Sequence, residues 1–157
     1  MGAKNSLTKS QLLTIAGGIV SIISVFLPWF SASARSSDGI SGISVNGLGS
    51  LTGGGLLLGL VGSKADWEFQ GIGVLALGII CVAVSLSLRE KLRSLAMFAC
   101  GFLIIGGGAV NLMSVGTFSG QFLGATIQSG AGYGLYIVVL GGLIAAAGGA
   151  LAWKESG

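Results

Sequence analysis

Asp66 and Glu68 stand on either side of Trp67, with Lys64 just before them, and they are the one closely spaced pair among five acidic residues in the chain. Two carboxylates this close would suit a cation or the basic face of a partner. They would equally solvate a helix entry and favour its N-terminal dipole. Cys81 and Cys100 are the only cysteines, set on opposite sides of a basic segment at Arg89, Lys91 and Arg93. On two antiparallel helices joined at that segment, each would lie about 11–12 Å from the turn, able to face the other. No His or carboxylate stands near them to complete a metal site, so they read as two small apolar residues in a core. Asn111 reads either as an interhelical hydrogen-bonding group, worth about 0.6 kcal/mol on average in a membrane, or as part of a polar cavity lining. Nothing completes an enzyme. Histidine is absent, and Gly53-Gly54-Gly55 lacks the Lys and Ser/Thr that a phosphate loop needs. A non-enzymatic chain with no catalytic residue, no metal and no cofactor is expected.

The elements that must position these residues are marked by where charge is missing. The chain is 157 residues long, 52% hydrophobic and 8% charged, against roughly 25% charged in a soluble domain. Its charges sit almost entirely outside four apolar stretches, at about 11–29, 71–88, 94–115 and 133–153. Each approaches the ~20 residues that cross ~30 Å of hydrocarbon. A charge at the middle of such a helix costs roughly 2.5–3.5 kcal/mol, which accounts for the avoidance. The expected fold is therefore an all-α membrane protein: a single four-span domain over 1–157, a four-helix transmembrane bundle with a small extracytoplasmic subdomain at 31–70.

Six of the eight basic residues fall at the N-terminus, the 89–93 loop and the C-terminus. The positive-inside rule then places both termini in the cytoplasm and the 31–70 and 116–132 segments outside. That arrangement explains the net charge of +3 without nucleic-acid affinity. Trp29, Phe30, Trp67, Phe69, Tyr133 and Tyr136 would form an outer aromatic belt, with Trp153 as an inner anchor. A rival for the first stretch is a signal peptide cleaved near Ala32-Ser33-Ala34, disfavoured by the long apolar core and by Trp29-Phe30 beside the site. The basic loop at 89–93 would touch anionic headgroups. The lack of acids and bases inside the spans argues against a proton-coupled carrier.

Within the outer segment, Ile43, Ser44 and Val45 alternate and are followed by Asn46-Gly47, a hairpin signal. The apolar, glycine-rich stretch 48–61 is too short for a confident span. It reads as a re-entrant or interfacial helix, or as loop. A short β-hairpin followed by a short helix, or an irregular Gly/Ser loop, are the two expectations for this segment.

Thirty glycines, lying in apolar runs and without a triplet period, point to close helix packing. Gly17, Ser21 and Ser24 line one side of the first helix. Gly141, Ala145 and Gly149 recur every four residues in the fourth, and Gly134, Gly141 and Gly148 every seven. Gly106 opens a smooth patch in the third. Such rows serve either packing within one chain or docking of a partner or second copy, most naturally on the fourth helix.

Leu27-Pro28-Trp29 closing the first stretch, a Gly/Ser outer loop, and Gly132-Tyr133-Gly134-Leu135-Tyr136 opening a Gly-rich fourth stretch resemble a pattern in small four-span membrane proteins of bacteria and archaea. In topology the chain is also similar to claudin-type tetraspan proteins, with a larger first and a smaller second outer loop. It lacks their outer Trp-Gly-Leu-Trp motif and paired loop cysteines, so a cell-junction role is not carried over. The expected function is a structural or accessory subunit in the cell membrane. Its partners would be membrane lipids and other membrane subunits or copies of itself, met through the Gly-rich faces. The alternative is a homo-oligomeric pore or carrier for a neutral or apolar solute.

Overall fold

The first helix is set by its caps. In a computed structural model, which describes residues 7–36, 39–53, 64–87, 90–122 and 125–156, α1 runs from Lys9 to Val25. Thr8 and Gln11 form a reciprocal capping box: the Gln11 N–H donates to Thr8 Oγ1 and the Thr8 N–H donates to Gln11 Oε1 at 2.9 Å. The helix stops because Phe26 folds its N–H back onto the Ile23 and Ser24 carbonyls and Pro28 cannot continue the ladder. The chain then extends into β1 (Pro28–Ser36), returns as β2 (Gly39–Asn46) and adds a short β3 (Leu51–Gly53).

α2 (Lys64–Ser87) and α3 (Glu90–Ser114) follow, then β4 (Phe118–Phe122), β5 (Ala125–Ala131) and α4 (Tyr133–Ser156). The five strands make one antiparallel sheet in the order β3-β2-β1-β5-β4. Three strands come from the segment after α1 and two from the segment after α3. They are joined where β1 pairs with β5, with Ser31 opposite Gly130 and Ala34 opposite Ile127.

The helices pack as a ring, α4 between α1 and α3, and α2 against α1 and α3. Val25, Trp29, Val74, Cys81, Cys100, Ile104, Leu135 and Val138 belong to its core. Trp29 pins the sheet to this ring. It is fully buried, and its Nε1–H donates to the Ser24 carbonyl at 2.9 Å. Beside it, the Gly47 N–H donates to the Val25 carbonyl and the Gly132 N–H to the Trp29 carbonyl, each at 2.8 Å. A smaller apolar cluster, Ala32 and Ile43 with Phe30, Ala34 and Ile127, lies on one side of the sheet.

The expectation of an all-α four-helix transmembrane bundle is overturned: the fold is mixed, four helices plus a five-stranded antiparallel sheet. Among the described residues only two helical stretches, Leu92–Ser114 and Tyr133–Glu155, are long and apolar enough to cross a membrane. Lys9–Val25 and Gln70–Leu86 are apolar but shorter. The first expected span fails at its outer end for a physical reason, since Pro28 and Trp29 belong to β1 and not to a helix. The 116–132 segment, read as a loop, holds two strands. At the Asn46-Gly47 signal the chain does turn: Asn46 Oδ1 accepts from the Leu48 and Ser50 N–H groups, and β3 pairs back on β2. The helix weighed for 48–61 gives way to this turn and β3 up to Gly53, while 54–63 lie outside the described residues.

Candidate functional site

The seven-residue glycine spacing of α4 has a direct structural meaning. Seven residues are nearly two helical turns, so Gly134, Gly141 and Gly148 return to one side of the helix. A Cβ on Gly141 would collide with Ser21 Oγ and the Gly17 carbonyl, and one on Gly148 with Thr14 Oγ1. One on Gly134 would lie 2.8 Å from the Pro28 carbonyl oxygen and the Trp29 ring. This row therefore seats α4 against α1 and the start of β1. A second row, one residue on, does the same for α3. Gly142 faces Ile105 and Gly149 faces the Phe98 backbone, while Gly101 of α3 meets Ala146.

Ala145 meets Gly17 between these rows, so Gly17, Ser21, Gly134, Gly141, Ala145, Gly148 and Gly149 are all engaged within one chain. Ser24 is buried too, its hydroxyl donating to the Ser21 carbonyl. Gly106 alone of the candidate set has open space where a Cβ would sit.

Polar side chains inside the ring are mostly satisfied by backbone carbonyls. Thr14 Oγ1–H donates to the Ser10 carbonyl at 3.0 Å and Ser21 Oγ–H to the Gly17 carbonyl at 2.9 Å, the back-bonding that lets hydroxyls sit in apolar helices. Gln11 Nε2–H reaches from α1 to the Ser85 carbonyl of α2 at 2.8 Å. Ser10 Oγ–H donates to Glu155 Oε2 at 2.8 Å, tying the start of α1 to the end of α4.

Asn111 is 4% exposed, and its Nδ2–H donates to the Gly107 carbonyl of its own helix, not across helices. Its Oδ1 meets no donor among the described residues. Cys81 and Cys100 are both free and buried, in the same core cluster. Among the described residues no three His, Cys, Asp or Glu side chains gather as a metal centre. The Asp66, Glu68 and Lys64 side chains, like Arg89 and the Gly54-Gly55 pair, lie outside the description.

A feature that sequence reasoning missed lies on the sheet. Strand alternation and register put Ser31, Ser33, Gly42, Ser44, Thr52, Gln128 and Gly130 on one face: Ser31 lies opposite both Ser44 and Gly130, Ser33 opposite both Gly42 and Gln128, and Thr52 opposite Ser44. These residues line an open trough of about 650 Å3. It is neutral throughout, with hydroxyls and one amide as its reactive surface. Gly42 and Gly130 leave its floor bare, although a Cβ would have room at either, its nearest neighbours lying at 3.7 and 3.6 Å. Arg35, paired with Thr126 and Ile40, continues the same face past the trough. The signal was present in the Ser-Ala-Ser-Ala run at 31–34 and the Thr-Ile-Gln run at 126–128, both with period two.

The trough's lining offers hydroxyls, one amide and backbone groups that can both donate and accept hydrogen bonds, with Arg35 beyond one end. No protein-family model matches the chain, and no curated protein sequence matches it significantly.

Proposed function

We propose that this chain is a non-enzymatic accessory protein of the cell membrane, with its helical layer in lipid and its sheet held outside to receive a partner subunit. Support for the membrane comes from the outside of the helices. Ile79, Ile80, Phe102, Leu103, Val110 and Leu143 are among many large apolar side chains exposed there, more than a water-soluble surface carries in contiguous patches. α3 and α4 are long enough to cross, with α1 and α2 packed alongside them.

Support for the orientation comes from Ser10 meeting Glu155 and Gln11 meeting Ser85, which gather the start of α1 and the ends of α2 and α4 at one end, opposite the sheet. Lys9, Arg93 and Lys154 stand at that end, so it faces the cytoplasm by the positive-inside rule.

The observation that carries the partner role is the neutral trough. The glycine rows of α4, the natural docking faces by sequence, are spent inside the chain, while Gly42 and Gly130 leave a concave strip that no packing contact requires. Hydroxyls and an amide both donate and accept, which suits a neutral peptide segment of a partner. A solute path between α1 and α4 is disfavoured by the same glycine contacts, which bring the backbones together at Gly17, Gly141 and Gly148.

The test is photo-crosslinking in native membranes from a benzophenone amino acid at Ser33, compared with Val110 on the lipid-facing side. A discrete adduct from position 33 and none from 110 is expected. Identical or absent adducts from both positions would end the partner reading.

A further inference from the structure

At the end where α1 starts and α4 ends, an apolar groove of about 410 Å3 opens between α3 and α4, lined by Leu95, Phe98, Ala150 and Trp153. Its depth comes from the glycine row beside it: a Cβ on Gly149 would lie 2.5 Å from the Phe98 nitrogen, so the two backbones touch and larger side chains splay outward. Leu95 and Trp153 stay 57% and 61% exposed, and Phe98 is braced from behind by Phe102 at 4.8 Å between ring centroids. Ala150 supplies a small floor.

A basic residue follows the groove along α4. Lys154 follows Ala150 by one helical turn and is exposed. Its neighbour Glu155 accepts from Ser10 on the α1 side of α4, so the one carboxylate whose side chain is described is engaged elsewhere. An apolar slot beside an exposed cation that meets no carboxylate among the described residues matches an amphiphile with an anionic head.

We propose that this groove holds an acyl chain of an anionic phospholipid whose phosphate pairs with Lys154. The inference rests on the membrane reading above and adds a specific lipid site on the cytoplasmic side. Trp153 sits where an indole is favoured, its ring against the chain and its position near the headgroup level. One lysine beside an anionic headgroup corresponds to about a fivefold preference over a zwitterionic lipid.

The full chain is placed in phosphatidylcholine nanodiscs containing brominated-acyl phosphatidylglycerol or brominated-acyl phosphatidylcholine. The Trp153 signal is taken as the difference between wild type and Trp153→Phe. The anionic lipid should quench Trp153 at about fivefold lower mole fraction, Lys154→Gln should erase that difference, and Ala150→Leu should weaken quenching by both lipids. Equal quenching by the two lipids in wild type overturns the site, as does an unchanged response in Ala150→Leu. If Ala150→Leu does not fold, Lys154→Gln, at an exposed position, decides alone. Alkaline carbonate extraction of native membranes separates the two claims. A chain that stays in the membrane but quenches equally loses only the lipid site, whereas a chain released by carbonate loses the membrane reading as well.

Discussion

Gly17 of α1 and Ala145 of α4 meet backbone to backbone, so that a Cβ at position 17 would lie 2.5 Å from the Ala145 nitrogen and 2.6 Å from the Gly141 carbonyl oxygen. The contact is made by main chain on both sides, so no rotamer change can relieve an added atom. It also fixes the use of the α4 glycine row: a surface this tightly occupied by α1 is not open to a second chain.

Gly17→Ala should therefore destabilise by about 1–3 kcal/mol and Gly17→Leu by more, because inserted volume in a packed core forces the backbone apart. Gly106→Ala is the matched control. Its Cβ would enter open space, and the gain in helix propensity of up to about 1 kcal/mol should leave stability equal or higher. Thermal unfolding in mild detergent checks both. A lowered melting temperature for Gly106→Ala, or none for Gly17→Leu, would contradict the packing.

Trp29 joins the two layers, and its substitution should show it. Trp29→Ala empties a fully buried site and should cost about 3–5 kcal/mol. Trp29→Phe keeps part of the volume but loses the Nε1–H bond to the Ser24 carbonyl, for a smaller loss of about 1–2 kcal/mol. The ordering of the two melting temperatures below wild type is the measurement.

This residue also shows where the sequence was legible and where it was not. Charge avoidance marks where the four helices lie, because an apolar stretch is a local property written in every residue. It does not make four spans: only two of the helices among the described residues are long and apolar enough to cross a membrane. An aromatic residue after an apolar run commonly sits at an interface, so the sequence places Trp29 in an outer belt. Its burial depends on Gly47, Gly132 and Gly134 closing around it from distant parts of the chain. The sheet was hidden for the same reason. Ser31, Ser33, Gly42 and Gly130 are weak strand formers, and β1 holds its shape through pairing with β5 roughly a hundred residues away, a contact no local window contains. The α4 glycines were legible as packing residues, but their partner, α1 inside the same chain, was not.

Gln11 has two separate duties, capping α1 and reaching the Ser85 carbonyl. Gln11→Ala should lose both and cost about 1–3 kcal/mol in total. Thr8→Ala removes the other half of the cap, the acceptor of the Gln11 N–H, and should cost about 1 kcal/mol. Each single variant leaves the other cap bond in place, so the double variant, read as a cycle, should lose close to the sum of the two, less only the Thr8 Oγ1–H bond to Gln11 Oε1 at 3.2 Å that both remove. A double variant no less stable than Gln11→Ala would contradict the capping box.

The joining of two separate chain segments into one sheet can be trapped covalently. Ser33 of β1 and Gln128 of β5 are direct antiparallel partners, and opposed Cα atoms in such a pair lie about 4.5–5.5 Å apart, within disulfide range. Ser33→Cys with Gln128→Cys should therefore oxidise readily, giving a band shift on non-reducing electrophoresis. Ser119 of β4 pairs with Gln128 from the other side, which sets it about two strand spacings, roughly 9–10 Å, from Ser33. Ser33→Cys with Ser119→Cys should stay reduced under the same conditions. The buried Cys81 and Cys100 are present in both variants and so cancel in the comparison. A cross-link in the second pair and none in the first would mean that β4, not β5, lies beside β1, and the trough as described would not exist.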